Sequence, residues 1–280
     1  MNAPPVARMV YRALVCTVLP ATLAGLVAPA PSHAAPPSVA TRTITLYTSH
    51  PSFPRAIPAG LLDIRIVSDA WPGVGASVAR IHPGVTLPQL QRASTNFMAV
   101  TRLVTFLGGL DVPVGAHARM VIDARTPGSY VLHLMPRDTG AGRALFFSVK
   151  PAIAQAVTPP RATVSVTMQG TRFLGLPAAL HHGGISFKVT NNTSWVRKME
   201  FFRLDPGKTL ADFVAARQRN QEPGWARGSG GVDVLSGHQT FWLRLALAPG
   251  TYVADCSIPD PDHAGRPFDL EGMIAQVTVS

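Results

Sequence analysis

The sequence predicts an all-β protein made of two tandem antiparallel β-sandwiches, each with one short helix. Three observations lead there. Charged residues are 14% of 280 and hydrophobic residues 46%, which is enough apolar material for packed cores and too little charge for a disordered chain. Gly 24 and Pro 26 punctuate the sequence, favouring many turns and short elements. They have no three-residue glycine period, which excludes collagen. The third observation is a repeat. Pro83-Gly84-Val85-Thr86-Leu87 returns as Pro206-Gly207-Lys208-Thr209-Leu210. Gly108-Gly109-Leu110-Asp111-Val112 returns as Gly230-Gly231-Val232-Asp233-Val234, and Pro127-Gly128-Ser129-Tyr130-Val131 as Pro249-Gly250-Thr251-Tyr252-Val253. The three pairs keep the same order at offsets of 122 to 123 residues, a period that suits a whole domain rather than a solenoid unit.

Residues 1–35 read as an export signal. Arg8 and Arg12 precede the apolar run Ala13 to Ala28, and Ser32-His33-Ala34 places small residues where a signal peptidase reads. The run is shorter than the roughly 20 residues of a spanning helix, and Pro20 interrupts it. No later stretch is long enough, so no membrane span is expected in the mature chain. Losing Arg8 and Arg12 takes the net charge from +10 to +8. The remaining basic residues are scattered, which argues against a nucleic-acid groove. Cys16 lies in the leader and leaves Cys256 as the sole mature cysteine, so no intramolecular disulfide is expected although an exported chain would permit one.

The domains are read as 41–150 and 161–280, joined by a Pro/Ala linker at 151–160. Leu62, Ile64 and Ile66 alternate as Ile185, Phe187 and Val189 do, each set marking a half-buried strand. Phe241, Leu243, Leu245 and Leu247 form another such row, and Ala275, Val277 and Val279 a third. Pro127-Gly128 and Pro249-Gly250 mark turns entering strands. Thr86 with Gln89, and Thr209 with Asp212, have the spacing of a helix N-terminal capping arrangement. Pro88 falls in the first turn, where proline is tolerated.

The segment from Gly230 to Val279 carries the Gly230-Gly231 pair, then Pro249 through Pro261 around Cys256, then Gly272-Met273 before the last strand. With Ile185 to Leu204, it resembles the cupredoxin-like domains of secreted bacterial proteins. The resemblance implies Greek-key sandwiches, and the first half shares it through the repeat. Copper-carrying members hold the metal with two His, one Cys and a weak axial Met, a donor set suited to a copper that changes oxidation state. The resemblance puts Cys256 at the thiolate position and Met273 at the axial one. The two imidazoles would fall near Arg197 and Phe268, and neither is His. His263, seven residues after Cys256, is the one stand-in, giving Cys256, His263 and Met273 as an altered site. Against it, Cys256 corresponds to Leu134 at offset 122, which reads as a core position, since free cysteine packs as a small hydrophobe.

From Cys256 to the last strand the offset grows from 122 to 130: Phe147-Ser148-Val149 matches Val277-Thr278-Val279. The second half therefore carries eight extra residues in the loop Pro259 to Glu271, read either as a recognition loop or as a lengthened solvated one. Elsewhere, adjacent His181 and His182 point opposite ways on an extended segment. His50, His82, His117, His133 and His238 lack metal-ligand spacing. A Cys256–His263 nucleophile would need an exposed thiolate. No nucleophile elbow, zincin motif or phosphate loop occurs. The reading is an exported, periplasmic or secreted, non-enzymatic protein with a degenerate copper site and no catalytic residues or cofactor. It would bind a protein or envelope component, or play a structural role. The alternative is copper binding or electron transfer through Cys256, His263 and Met273, with a hydrolase of unrecognised type as a third class.

Overall fold

A computed structural model describes residues 42–69, 73–113, 115–136, 142–152 and 159–280. The export signal at 1–35 and most of the 151–160 linker lie outside the described residues. In chain order the first half holds β1 (Arg42–Tyr47), β2 (Ala56–Pro58), β3 (Gly60–Val67), β4 (Gly73–Ile81), α1 (Leu87–Ala93), α2 (Phe97–Thr101), β5 (Val104–Pro113), β6 (His117–Ala124), β7 (Gly128–Pro136) and β8 (Arg143–Lys150). The second holds β9 (Val164–Gln169), β10 (Arg172–Leu174), β11 (Ala179–Leu180), β12 (Gly183–Asn191), β13 (Arg197–Leu204), α3 (Leu210–Gln218), β14 (Ala226–Leu235), β15 (Thr240–Leu247), β16 (Gly250–Asp255), a 3-10 turn (Phe268–Glu271) and β17 (Ile274–Val279).

Two of the repeated motifs make the same local structure twice. The Pro-Gly turns place Gly84 at φ 80° and Gly207 at φ 82°, conformations that favour glycine. Just after them, Thr86 and Thr209 each cap a helix in a reciprocal box with Gln89 and Asp212. Tyr130 and Tyr252 are both buried, and each hydroxyl donates to a carbonyl four residues upstream, Thr126 at 2.6 Å and Ala248 at 2.8 Å. At these turns, caps and tyrosines the two halves are built alike.

The strands form two sheets. One has seven strands in the order β1-β3-β6-β15-β12-β9-β10, and the other ten, β11-β17-β16-β13-β14-β5-β4-β7-β8-β2. Both run through both halves. The seven-stranded sheet is joined by antiparallel β6 and β15, with Met120 opposite Leu243 and Val121 opposite Trp242. The ten-stranded one is joined by β5 and β14, with Leu107 opposite Leu235. From either junction outward, equivalent strands follow in the same order: β6-β3-β1 mirrors β15-β12-β9, and β5-β4-β7-β8-β2 mirrors β14-β13-β16-β17-β11.

Three details go beyond the sequence expectation. The sandwiches are fused edge to edge, through β6 with β15 and β5 with β14. They are also not wholly antiparallel: β1 pairs β3, β9 pairs β12, β2 pairs β8 and β11 pairs β17 in parallel. The cause is a short crossing, because β2 visits the other sheet between β1 and β3, and β11 does so between β9 and β12. Third, the first half carries a second short helix, α2, capped by Asn96, whose side chain accepts from Ala99 N–H at 3.1 Å.

One apolar core runs between the sheets and across the junction, with Leu110, Ile122, Val232 and Phe241 in the same cluster. The repeated glycine pairs make this possible. Gly108 is at φ 128°, and a β-carbon there would come within 2.6 Å of the Phe241 ring. A β-carbon on Gly231, at φ 148°, would meet the Met199 carbonyl at 2.1 Å. Burying a phenylalanine such as Phe241 contributes about 2–3 kcal/mol, and only glycine leaves room for it. On the outer face of the ten-stranded sheet, α3 covers Leu204 and Val253 with Phe213.

Candidate functional site

The candidate site lies at one end of the second half, where β13 starts, β16 ends, and the Pro259–Glu271 loop returns to β17. Alternation along β16 turns Tyr252, Ala254 and Cys256 into the core, all at 1% exposure or less. Backbone hydrogen bonds bring the loop's far end back to the thiol. Cys256 N–H donates to Met273 O at 3.1 Å, Asp269 N–H to Cys256 O at 2.8 Å, and Met273 N–H to Phe268 O at 2.8 Å. Cys256 and Met273 therefore meet, both wholly buried. Lys198 N–H donates to Sγ at 3.4 Å, and the backbone of Ile258 also hydrogen-bonds the thiol. Burial pushes the thiol up to about 11, so it is uncharged at neutral pH. In the first half Leu134 is buried at the equivalent place.

Arg197 opens β13 and is 6% exposed. Its guanidinium lies over the buried Phe268 ring, 3.5 Å from the centroid, and Nη1 donates to Val196 O at 3.0 Å. Nε is buried without a partner. Burial pulls the guanidinium below its usual value, partly offset by its interaction with Cys256 and with the acids of the loop. The two positions at which the resemblance needs imidazoles thus hold a cation and a phenyl ring, stacked on each other. Neither offers a lone pair, and a fixed positive charge opposes a second cation. The residues present do not fit a trigonal copper site, which needs two imidazole nitrogens beside the thiolate.

His263 is drawn elsewhere. Its Nδ1 lies 3.0 Å from Asp260 Oδ2 and 3.2 Å from Glu271 Oε1, with the imidazole side chain 66% exposed. Hydrogen bonding to Asp260, then the charge of Glu271, raises its proton affinity. Burial tends to raise Asp260, but the N–H of Asp262 and the neighbouring His263 outweigh it and hold the carboxyl below its ordinary value. The structure therefore brings together Cys256 and Met273 from the sequence-nominated set, and places His263 in a separate cluster with two acids.

Sequence reasoning missed a layer of charge beneath α3. Arg217 Nε donates to Asp269 at 2.8 Å, and Lys198 Nζ reaches Glu200 at 2.7 Å. Asp255 points away from the core, is 1% exposed, and has an Oδ1 without a hydrogen-bond partner. Burial pushes its carboxyl up to about 7, against the pull of Lys198. The available signal was alternation, because a residue next to a core cysteine on a strand must lie under whatever covers the other face. A cleft of about 340 Å³ at the Pro206-Gly207 turn is ringed by Arg203, Lys208 and Arg227. Each is already engaged, with Pro249 O, the Trp225 ring and Asp205 respectively.

By its sheet architecture the chain is a two-sheet β-sandwich. No family model matches the chain, and no curated protein does. Among solved structures it is similar to auracyanin B, with 16% identity over 44% of this chain and 93% of that one, at a TM-score of 0.30. It is similar to the auracyanin of Roseiflexus castenholzii at 16% identity, over 44% of this chain and 99% of that one, with a TM-score of 0.30. A multicopper oxidase from Campylobacter jejuni aligns over 85% of this chain and 55% of that one, at 11% identity and a TM-score of 0.23. Among the described residues, no helix is long and apolar enough to cross a membrane.

Proposed function

We propose that this chain is an exported, non-enzymatic tandem cupredoxin-like protein whose copper position has been converted into a structural core. It would serve a binding or supporting role in the periplasm or outside the cell. The observation that carries the reading is the Arg197–Phe268 stack at 3.5 Å beside a neutral, buried Cys256. The guanidinium supplies internally the positive charge that a metal would bring, and the ring fills the space an imidazole would need. The equivalence of the strand orders around both junctions supports duplication of one sandwich, with domains at 41–150 and 161–280. The leader at 1–35 supports export. The altered copper site of Cys256, His263 and Met273 is the second reading, and the hydrogen bonds of His263 to Asp260 and Glu271 count against it.

Copper titration of the mature protein tests this. The expected outcome is no intense thiolate-to-copper absorption in the native chain, and its appearance when Arg197→His and Phe268→His are combined. One equivalent of copper with that absorption in the native protein, lost on Cys256→Ala, would overturn the proposal.

A further inference from the structure

The eight residues by which the second half outruns the first lie in a loop that carries three metal-competent side chains. Asp260, His263 and Glu271 each offer one ligand atom, and those atoms lie within 4.8 Å of one another. A first-row ion bound at roughly 2.1 Å by nitrogen and oxygen needs neighbouring ligand atoms about 3.0 to 3.4 Å apart, for octahedral or tetrahedral geometry. The Nδ1 separations of 3.0 Å to Asp260 and 3.2 Å to Glu271 fall in that range.

The loop is built to hold these groups still. Pro259 and Pro267 form a bridge across its neck. Asp260 N–H donates to Arg266 O at 2.8 Å, its carbonyl accepts from Gly265 N–H at 2.8 Å, and its Oδ1 accepts from Asp262 N–H at 2.8 Å. Oδ2 is thereby left to the imidazole. Ala264 sits at φ 56°, a conformation uncommon for a residue with a β-carbon. Glu271 ends the 3-10 turn that also supplies Phe268. The two carboxylate side chains are only 8% and 11% exposed, while His263 is open to solvent. Arg197 already interacts with Asp260 and Glu271 from the buried side, and the exposed His263 side leaves room for water as further ligands.

We infer that Asp260, His263 and Glu271 form a surface binding site for one divalent transition-metal ion of the zinc class. The donors choose the class: an imidazole with two carboxylates suits zinc and its neighbours, whereas calcium takes six to eight oxygens. The site is separate from the thiol pocket and goes beyond the proposed function, which it neither requires nor contradicts.

Isothermal titration of the full mature chain with zinc chloride, and then with calcium chloride, tests it. Zinc is expected to bind at one site per chain and to raise the melting temperature, because an ion that binds only the native state must stabilise it. His263→Gln and Glu271→Gln are each expected to weaken zinc binding at least tenfold. His263→Gln should still unfold in one cooperative transition without metal, so a loss of zinc binding would not come from misfolding. Cys256→Ser is expected to leave zinc affinity unchanged, which distinguishes this site from the thiol pocket. No zinc binding below millimolar concentration, binding undiminished in His263→Gln, or calcium binding as tight as zinc would each overturn the inference.

Discussion

The two halves share their scaffold and differ in what they place at one end of it. Gly109 and Gly231, Tyr130 and Tyr252, and Thr86 and Thr209 do the same work twice. At the next positions the halves part. Leu134 in one becomes Cys256 in the other, His133 becomes Asp255, and the loop that follows grows by eight residues. The lesson is that turn, cap and close-contact residues are fixed by backbone geometry. Strand-end residues and the loop are free to change as long as the core stays filled.

The comparison breaks most readily at the glycines. Gly231→Ala is expected to cost on the order of 3 kcal/mol, from strain and overpacking against Met199. Gly109→Ala should cost a similar amount, because its β-carbon would meet Ala76 O at 2.7 Å. Urea unfolding would measure both. With continuous sheets each variant should still unfold in one transition, and two separated transitions would show that the halves are independent.

The next effect is a pair of opposite pH slopes at one register position. Asp255, pushed up to about 7, keeps its proton in the folded chain where the unfolded carboxyl has lost it. Its stabilisation is present below about pH 4 and is lost as pH rises towards 7, by at most about 1.4 kcal/mol per pH unit. The excess stability of Asp255→Asn over the native chain should therefore grow from pH 5 to 7. His133 is lowered by burial, so its contribution is present above about pH 6.5 and is lost as pH falls. The excess stability of His133→Gln should grow in the other direction, from pH 7 down to 5. Thermal melts across this range would show whether the slopes differ in sign. The smallest effect is a matched pair: Tyr130→Phe and Tyr252→Phe should each cost about 1 kcal/mol, one hydrogen bond apiece. Unequal losses in chemical denaturation would mean that the corners are not equivalent.

Much of the scaffold was legible because it is local. The Thr86 and Thr209 caps, the Pro-Gly turns and the alternating strands announce themselves within a few residues. The joining of β6 to β15 does not, since Phe241, Leu243 and Leu245 alternate in the same way whether the strand edge is free or paired. Cys256 and Met273, and the Arg197 and Phe268 that stand where the resemblance expects imidazoles, could be named from the sequence alone. The stacking of Arg197 on Phe268, 71 residues apart, was not, because no spacing rule links a strand's first residue to a distant loop. Asp260, Asp269 and Glu271 read as ordinary loop acids. Their burial depends on how the loop folds back under α3 and against β13.

The mirrored strand orders have a consequence for a chain cut between residues 150 and 161. Each fragment would end both its sheets on an open rung, β5 and β6 in one piece, β14 and β15 in the other. Such edges seek a partner, and the partner best shaped for each is the other fragment or a twin of itself. What the intact polypeptide holds within one molecule is therefore the geometry of a two-fold dimer, and the covalent tether spares it from depending on concentration.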